Sequence, residues 1–129
     1  EPTSLADAYG LIKVLNRDHG VKRFQVVTNL VRSPAQGRAL YARLAEVADK
    51  YLSAYIGYLG SVPLDDNLKA AIRARMAVTQ KYPYSASSIA LQKVARNLLN
   101  LPSMTGNSGH IEFFAERAVA GDLQMTRGI

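Results

Sequence analysis

Two short stretches, VVTN at 26–29 and SVPLD at 61–65, place polar side chains directly after runs rich in β-branched residues. We expect each run to be a strand, with Asn29 and Asp65 near the strand ends. Open parallel α/β sheets bind ligands at the carboxyl ends of their strands. The Asn29 amide offers hydrogen-bond donors and an acceptor, which suits the edge of an adenine base. Turn formation is the alternative role for this asparagine.

The second stretch has a structural alternative of the same kind. Pro63 would hold the loop after the strand stiff, because its ring fixes one backbone angle. From residue types alone, Pro63 and Asp65 could simply end the strand and cap the next helix. The role of Asp65 therefore stays open between ligand binding and capping.

The flanking segments predict helices and strands in alternation. Ser4, with Asp7 three residues later, predicts the cap of an opening amphipathic helix. Ser33 and Pro34 predict a helix that runs to about Leu52. Its predicted inner stripe comprises Leu40, Leu44, Val47 and Tyr51. A helix with a strand on either side is a βαβ unit, whose parallel strands pair through a crossover.

Further helices follow the second strand. Asp66 predicts the cap of a helix over 67–78, and Ser85 predicts the cap of the next one. Between them, Pro83 disfavours helix at the residue before it. Residues 1–101 are expected to form one α/β unit, followed by a linker at 102–109 and a short amphipathic helix with a tail at 110–129.

Two parallel strands make a poor sheet on their own, because both faces and both edges need cover. We therefore expect the C-terminal half of a doubly wound, mostly parallel α/β sheet, with two strands and four to five helices in this chain. The strands expected before the opening helix are absent from the sequence.

The amino-acid composition excludes several classes of site and protein. The 129 residues are 48% hydrophobic, carry a net charge of +6 and include no cysteine, which excludes disulfides and thiolate metal sites. The sequence has neither an apolar run long enough to span a bilayer nor a leader pattern, so a cytoplasmic protein is expected. The types and spacing of the residues suggest no metal ligands and no catalytic residues.

The positive charge is concentrated on predicted helices. Its candidate partner-binding residues are Arg38, Arg43, Lys50, Arg73 and Arg75. Such a surface attracts acidic partners. A merely solvated helix face is the alternative, because surface charge often has no specific role. The absence of an aromatic-studded groove argues against direct DNA binding.

Several stretches together resemble the C-terminal half of the FleN/FlhG regulators of flagellar number, within the MinD/ParA group of deviant Walker ATPases. The stretches that carry the resemblance are EPTSLADAYGLIKVLNRDHG, VVTN, SVPLDDNLKAAI, YPYSASSIA and GHIEFFAERAV. The resemblance extends from Glu1 to about Val119.

The resemblance implies a doubly wound sheet, slow ATP hydrolysis with Mg²⁺ and an ATP-dependent homodimer. It also implies antagonism of the flagellar master transcription activator, contact with a flagellar switch protein, and peripheral contact with the inner membrane or cell pole. In this family the base lies against residues that match Asn29, Pro63, Leu64 and Asp65. Residues that match Glu1 and Asp7 approach the nucleotide across the dimer interface.

The family's phosphate loop would precede Glu1. No glycine-rich stretch of the sequence ends in the Gly-Lys-Ser/Thr that cradles phosphates, so this chain alone is expected not to hydrolyse ATP. ATP or ADP with Mg²⁺ is expected to bind only together with the preceding half. The rival interpretation is a non-catalytic interaction module that binds an acidic protein or DNA through its basic helical face.

Overall fold

A computed structural model describes residues 2–102, which form an α/β arrangement; Glu1 and the predicted segment 110–129 lie outside the described residues. Within this range the chain forms five helices and two strands. In order these are α1 (Pro2–His19), β1 (Arg23–Val31), α2 (Pro34–Tyr51), β2 (Tyr55–Pro63), α3 (Asp66–Arg73), α4 (Val78–Lys81) and α5 (Ala86–Leu99). The strands β1 and β2 pair in parallel. The predicted βαβ unit and fold class are confirmed.

The helix α2 begins as the sequence predicts. Ser33 caps it, its Oγ accepting a hydrogen bond from the Gln36 N–H at 3.1 Å, and Pro34 occupies the first helical position. The Gln36 side chain returns a hydrogen bond by accepting from the N–H of Arg32 at 2.7 Å. Reciprocal bonding of this kind satisfies N–H groups that the first turn leaves without helical partners.

The predicted inner stripe of α2 is only partly correct. Leu44 is buried as expected, but Val47 and Tyr51 are 36% and 56% exposed. The side that meets the sheet and α1 instead carries Gly37, Tyr41, Leu44 and Ala48. At Gly37 a Cβ atom would lie only 2.6 Å from Thr28 Oγ1, so the missing side chain lets α2 lie close to the sheet on this side, which leaves Val47 toward the outside.

The helix α1 packs on α2 and contributes Ile12 to the core, with Leu5, Ala8 and Tyr9 packed around it. The prediction that Ser4 caps this helix is wrong, because the helix already begins at Pro2 and Ser4 lies inside it. Proline is favourable in a first helical turn, whose N–H groups have no helical acceptor.

None of the helices in residues 2–102 is long and apolar enough to cross a membrane.

The segment after β2 differs from the prediction at two points. The cap of α3 is Asp65 rather than Asp66, and the helix ends at Arg73 instead of continuing to 78. Asp65 is in extended conformation and accepts the Asn67 N–H, which leaves Asp66 as the first helical residue. The predicted cap of α5, Ser85, is confirmed.

The helix α5 lies against β2. Its Asn97 Nδ2 donates a hydrogen bond to the Leu59 carbonyl at 2.7 Å. Leu59 is skipped in the strand pairing, since Val26 pairs with Tyr58 and Val27 pairs with Gly60. The asparagine thus satisfies a backbone carbonyl at a β-bulge and holds the helix on the strand.

Candidate functional site

The carboxyl edge of the sheet contains a second bulge, at Leu30. Asn29 pairs with Val62 and Val31 pairs with Pro63, which leaves Leu30 without a partner on β2. The strand therefore continues past Asn29 to Val31, instead of ending at Asn29 as predicted. A bulge bends its strand and redirects the neighbouring side chains, and bulges are frequent beside active sites.

The bulge holds Leu30 in a strained conformation with φ of 57°. A side chain other than glycine costs roughly 1–2 kcal/mol in this left-handed region. The Leu30 N–H donates to the Oδ1 atom of the preceding Asn29 at 2.9 Å, which orients that amide. Asn29 is exposed, and within residues 2–102 its Nδ2 group donates to no acceptor. The donor end of the amide is therefore available to a ligand.

The loop after β2 is joined to this bulge. The Leu64 N–H donates to the Val31 carbonyl at 2.9 Å, so the two strand ends are tied together beyond the last paired residues. Pro63 is half-buried, whereas the Leu64 and Leu30 side chains are 48% and 53% exposed. The structure thus brings Asn29, Pro63 and Leu64 to the same edge of the sheet.

Asp65 acts as a cap for two helices. Its Oδ1 atom accepts the Asn67 N–H of α3, and its Oδ2 atom accepts the Ser87 N–H of α5, both at 2.9 Å. Hydrogen bonds from the side chain and backbone of Ser87, with smaller contributions from Asn67 and Ser85, hold the pKa of Asp65 below its ordinary value; partial burial opposes this shift. The capping role left open by the sequence is confirmed.

Two features of this edge were missed by reasoning from the sequence. The first is the left-handed conformation of Leu30, for which the residue type provides no signal. The second is Ser87, fully buried and 22 residues from Asp65 along the chain. A serine that follows a predicted N-cap serine could have suggested a polar cluster, but not its acidic partner.

The edge combines apolar surface with a hydrogen-bond donor. Leu30, Leu64 and Pro63 offer apolar surface, and the Asn29 amide offers a hydrogen-bond donor beside it. Among residues 2–102 no group of His, Cys, Asp or Glu side chains is placed to hold a metal ion.

A shallow groove lies elsewhere, between α2 and the start of β2. Its lining residues are Tyr41, Ala42, Ala45, Glu46, Asp49, Ala54, Tyr55 and Ile56. Because Tyr55 begins β2, this groove is at the amino end of the strand, opposite the end that carries Asn29. It does not belong to the candidate site.

The remaining predicted site residues are dispersed. Asp7 is exposed on α1, and Glu1 lies outside the described residues. On α2 the basic residues are all exposed, but they do not share one side. Arg43 and Lys50 are two turns apart and point the same way, whereas Arg38 is rotated from Arg43 by about 140° at 3.6 residues per turn. Arg73 and Arg75 are exposed at the end of α3.

The geometry defines an α/β chain with a parallel sheet and a ligand-suited carboxyl edge. Its sequence is 44% identical over 119 residues to the antiactivator FleN of Pseudomonas aeruginosa, covering 92% of this chain and 42% of FleN. It is also 28% identical over 101 residues to the flagellum site-determining protein YlxH of Helicobacter pylori, covering 78% of this chain and 34% of that protein. No protein-family model matches the chain.

These relatives confirm the resemblance to the C-terminal half of the FleN/FlhG proteins. The chain spans less than half the length of either relative.

Proposed function

We propose that this chain is the base-binding and partner-binding half of a MinD-like ATPase that controls flagellar number by antagonising the flagellar transcription activator. The observation that carries the proposal is the 44% identity to an antiactivator over nearly the whole chain. The carboxyl edge supports it, because a free amide donor lies beside apolar surface where α/β sheets bind ligands.

In this proposal the adenine of ATP or ADP lies on the carboxyl edge. Asn29 Nδ2 donates to a ring nitrogen, while Pro63 and Leu64 form one wall. Asp65 holds that wall in place through its two helix caps. The phosphates and Mg²⁺ bind to the half that carries the phosphate loop, where bound Mg²⁺ supplies the charge neutralisation that phosphoryl transfer needs.

The same proposal includes an ATP-dependent homodimer with Glu1 and Asp7 at its interface. The complete protein is cytoplasmic, with peripheral contact at the inner membrane or cell pole and with a flagellar switch protein as a further partner. The activator docks on basic residues of α2 and α3, of which Arg38, Arg43, Lys50, Arg73 and Arg75 are the candidates. All five are exposed.

The nucleotide role is tested by titrating ATP against two variants of the full-length protein. Asn29→Ala removes the whole amide, and Asn29→Asp keeps an acceptor for the Leu30 N–H but removes the donor. Both variants should weaken ATP binding by roughly 1–3 kcal/mol, since a buried polar group of the base loses its partner. Asn100→Ala, at an exposed asparagine after α5, is the matched control. Unchanged affinity in both Asn29 variants would remove this residue from the site.

The second candidate, a non-catalytic module that binds an acidic protein or DNA, is favoured by the exposed cations of α2 and α3. The two functions differ in their dependence on nucleotide. If the full-length protein binds the activator equally well with and without ATP, and binds no adenine nucleotide, the interaction module is the correct function.

A further inference from the structure

The end of α3 contains an arginine in a conformation that favours glycine. The Arg75 N–H donates to the Ile72 carbonyl and the Met76 N–H donates to the Ala71 carbonyl, both at 3.0 Å. These two bonds form a Schellman motif, in which the residue after the cap adopts a left-handed conformation and is usually glycine. Here that residue is Arg75, with φ of 54°.

The two backbone hydrogen bonds impose this conformation, but within residues 2–102 no contact of the Arg75 side chain offsets its cost. An L side chain costs roughly 1–2 kcal/mol in the left-handed region. Arg75 is exposed, and within residues 2–102 its guanidinium forms neither an ion pair nor a hydrogen bond. Residues held in sparsely populated backbone conformations are concentrated at functional sites.

Large apolar side chains flank this arginine at the surface. Ile72 is 66% exposed and Met76 is 41% exposed. Arg73 is exposed next to Ile72, and Lys69 forms an exposed ion pair with Asp66 at 3.7 Å. We name this surface the α3 patch. It comprises Lys69, Ile72, Arg73, Arg75 and Met76.

The α3 patch combines the two features of a protein-binding site. Apolar side chains gain most when they are removed from water at the centre of an interface, and charged side chains around them select the partner. On α2 the exposed Val47 and Tyr51 also lie near Arg43 and Lys50, but Arg38 is turned away from these two cations. The same helix carries the exposed Glu46 and Asp49, so its surface charge is mixed. Three cations close together in sequence, in a chain of net charge +6, favour an acidic partner.

We infer that the α3 patch docks an acidic segment of the transcription activator that also carries apolar side chains. This inference rests on the proposed antagonism of the activator, and it goes further by naming the surface and its anchors. Ile72 and Met76 are the apolar anchors, and Arg75 is held in its strained conformation to present its charge beside them.

The decisive variant is Arg75→Gly in the full-length protein, measured for activator binding and for melting temperature. Glycine relieves the backbone strain, so the melting temperature should stay the same or rise. Activator binding should weaken by roughly fivefold or more, as expected for loss of an interface side chain. A general folding defect cannot produce this combination. Arg75→Lys keeps the charge and should retain most of the binding.

The apolar anchor Ile72 is tested with a matched pair of isoleucine-to-alanine variants. Ile72→Ala should weaken activator binding by roughly fivefold. Ile89→Ala changes an isoleucine of similar exposure on α5, 55% against 66%, and should leave binding unchanged.

The outcomes of these binding measurements distinguish failure of the inferred docking surface from failure of the proposed function. If the wild-type protein binds the activator and both Arg75→Gly and Ile72→Ala bind it equally well, the α3 patch is not the docking surface and the proposed function stands. If Arg75→Gly loses affinity for a DNA duplex but not for the activator, an acidic protein segment is the wrong partner. A nucleotide-loaded wild-type protein that does not bind the activator overturns both.

Discussion

The carboxyl edge of the sheet and the α3 patch each depend on a residue in the left-handed conformation, Leu30 at 57° and Arg75 at 54°. At the carboxyl edge the strained Leu30 positions the neighbouring side chain, because the Leu30 N–H orients the Asn29 amide. At the α3 patch two backbone hydrogen bonds hold the strained conformation, and the strained residue exposes its own side chain. The same backbone outlier can thus position a ligand-binding group or a partner-binding one.

The carboxyl edge depends more strongly than the α3 patch on the packing of α2, and Gly37→Ala tests this dependence. A Cβ atom there would lie 2.6 Å from Thr28 Oγ1 and 2.8 Å from the Tyr58 hydroxyl. We expect a loss of about 1–3 kcal/mol in the free energy of unfolding, measured by urea denaturation, from overpacking beside the strand that carries Asn29.

Gly10→Ala in α1 is the matched control, since no atom of residues 2–102 lies within 4 Å of the added Cβ. It should stabilise the protein by about 0.5–1 kcal/mol, the helix preference of alanine over glycine. If both substitutions stabilise, the close approach of α2 to the sheet does not limit the fold.

Asp65 connects the two regions, because it follows Leu64 and caps the helix that carries the patch. Its lowered pKa means that the folded state binds this proton less readily than the unfolded state does. The stabilisation is therefore complete above the ordinary aspartate pKa of 3.8 and disappears as the pH falls through the lower folded value.

Asp65→Asn should be less stable than the wild type in urea denaturation at pH 7 and pH 5, and the difference should narrow below pH 3.8. Asp66→Asn is the control, since Asp66 is 97% exposed at its side chain and caps no helix. A difference between Asp65→Asn and wild type that does not change with pH would show that the carboxylate charge is unimportant for capping.

Substituting glycine at Leu30 and at Arg75 tests directly whether the carboxyl edge and the α3 patch serve different ligands. Leu30→Gly and Arg75→Gly should each raise the free energy of unfolding by about 0.5–1 kcal/mol, since glycine accepts positive φ without steric cost. Their functional effects should differ. Leu30→Gly keeps the N–H that orients Asn29 but removes apolar surface from the carboxyl edge, and so weakens ATP binding. Arg75→Gly removes a charge from the α3 patch and weakens activator binding. Thermal unfolding and the two binding titrations on one set of proteins provide the test. Equal effects on both ligands would mean that the two regions are not separate.

The smallest effect is expected at the exposed ion pair between Lys69 and Asp66, which are 53% and 97% exposed at their side chains. Lys69→Ala should change the free energy of unfolding by less than about 0.5 kcal/mol, because exposed pairs are weak and screened by salt. It should nevertheless reduce the salt dependence of activator binding, measured between low and high ionic strength. A large change in the melting temperature would make Lys69 part of the fold rather than of the docking surface.

The local signals of the sequence determined much of the fold. Ser33 with Pro34, and Ser85 further along, act within a single helical turn, so their residue types alone located two helix starts. Apolar runs and helical periodicity also predicted a parallel βαβ unit, and the polar ends of its strands predicted the candidate edge. These features depend on neighbours in sequence, which is why they could be read without a structure.

Only the tertiary structure decided the details on which the proposed functions depend. The face that α2 turns to the sheet follows from close contact at Gly37 with Thr28 of β1. The second acceptor role of Asp65 depends on Ser87, 22 residues away. The strain at Leu30 and Arg75 arises because strand pairing and helix termination impose backbone angles that neither side chain prefers. The contacts of Gly37 and Asp65 and the bulge at Leu30 depend on elements that meet only after folding, so their physical cause is absent from the local sequence. At Arg75 the hydrogen bonds are local, within residues 71–76, but an arginine gives no sign of the left-handed angle that they impose.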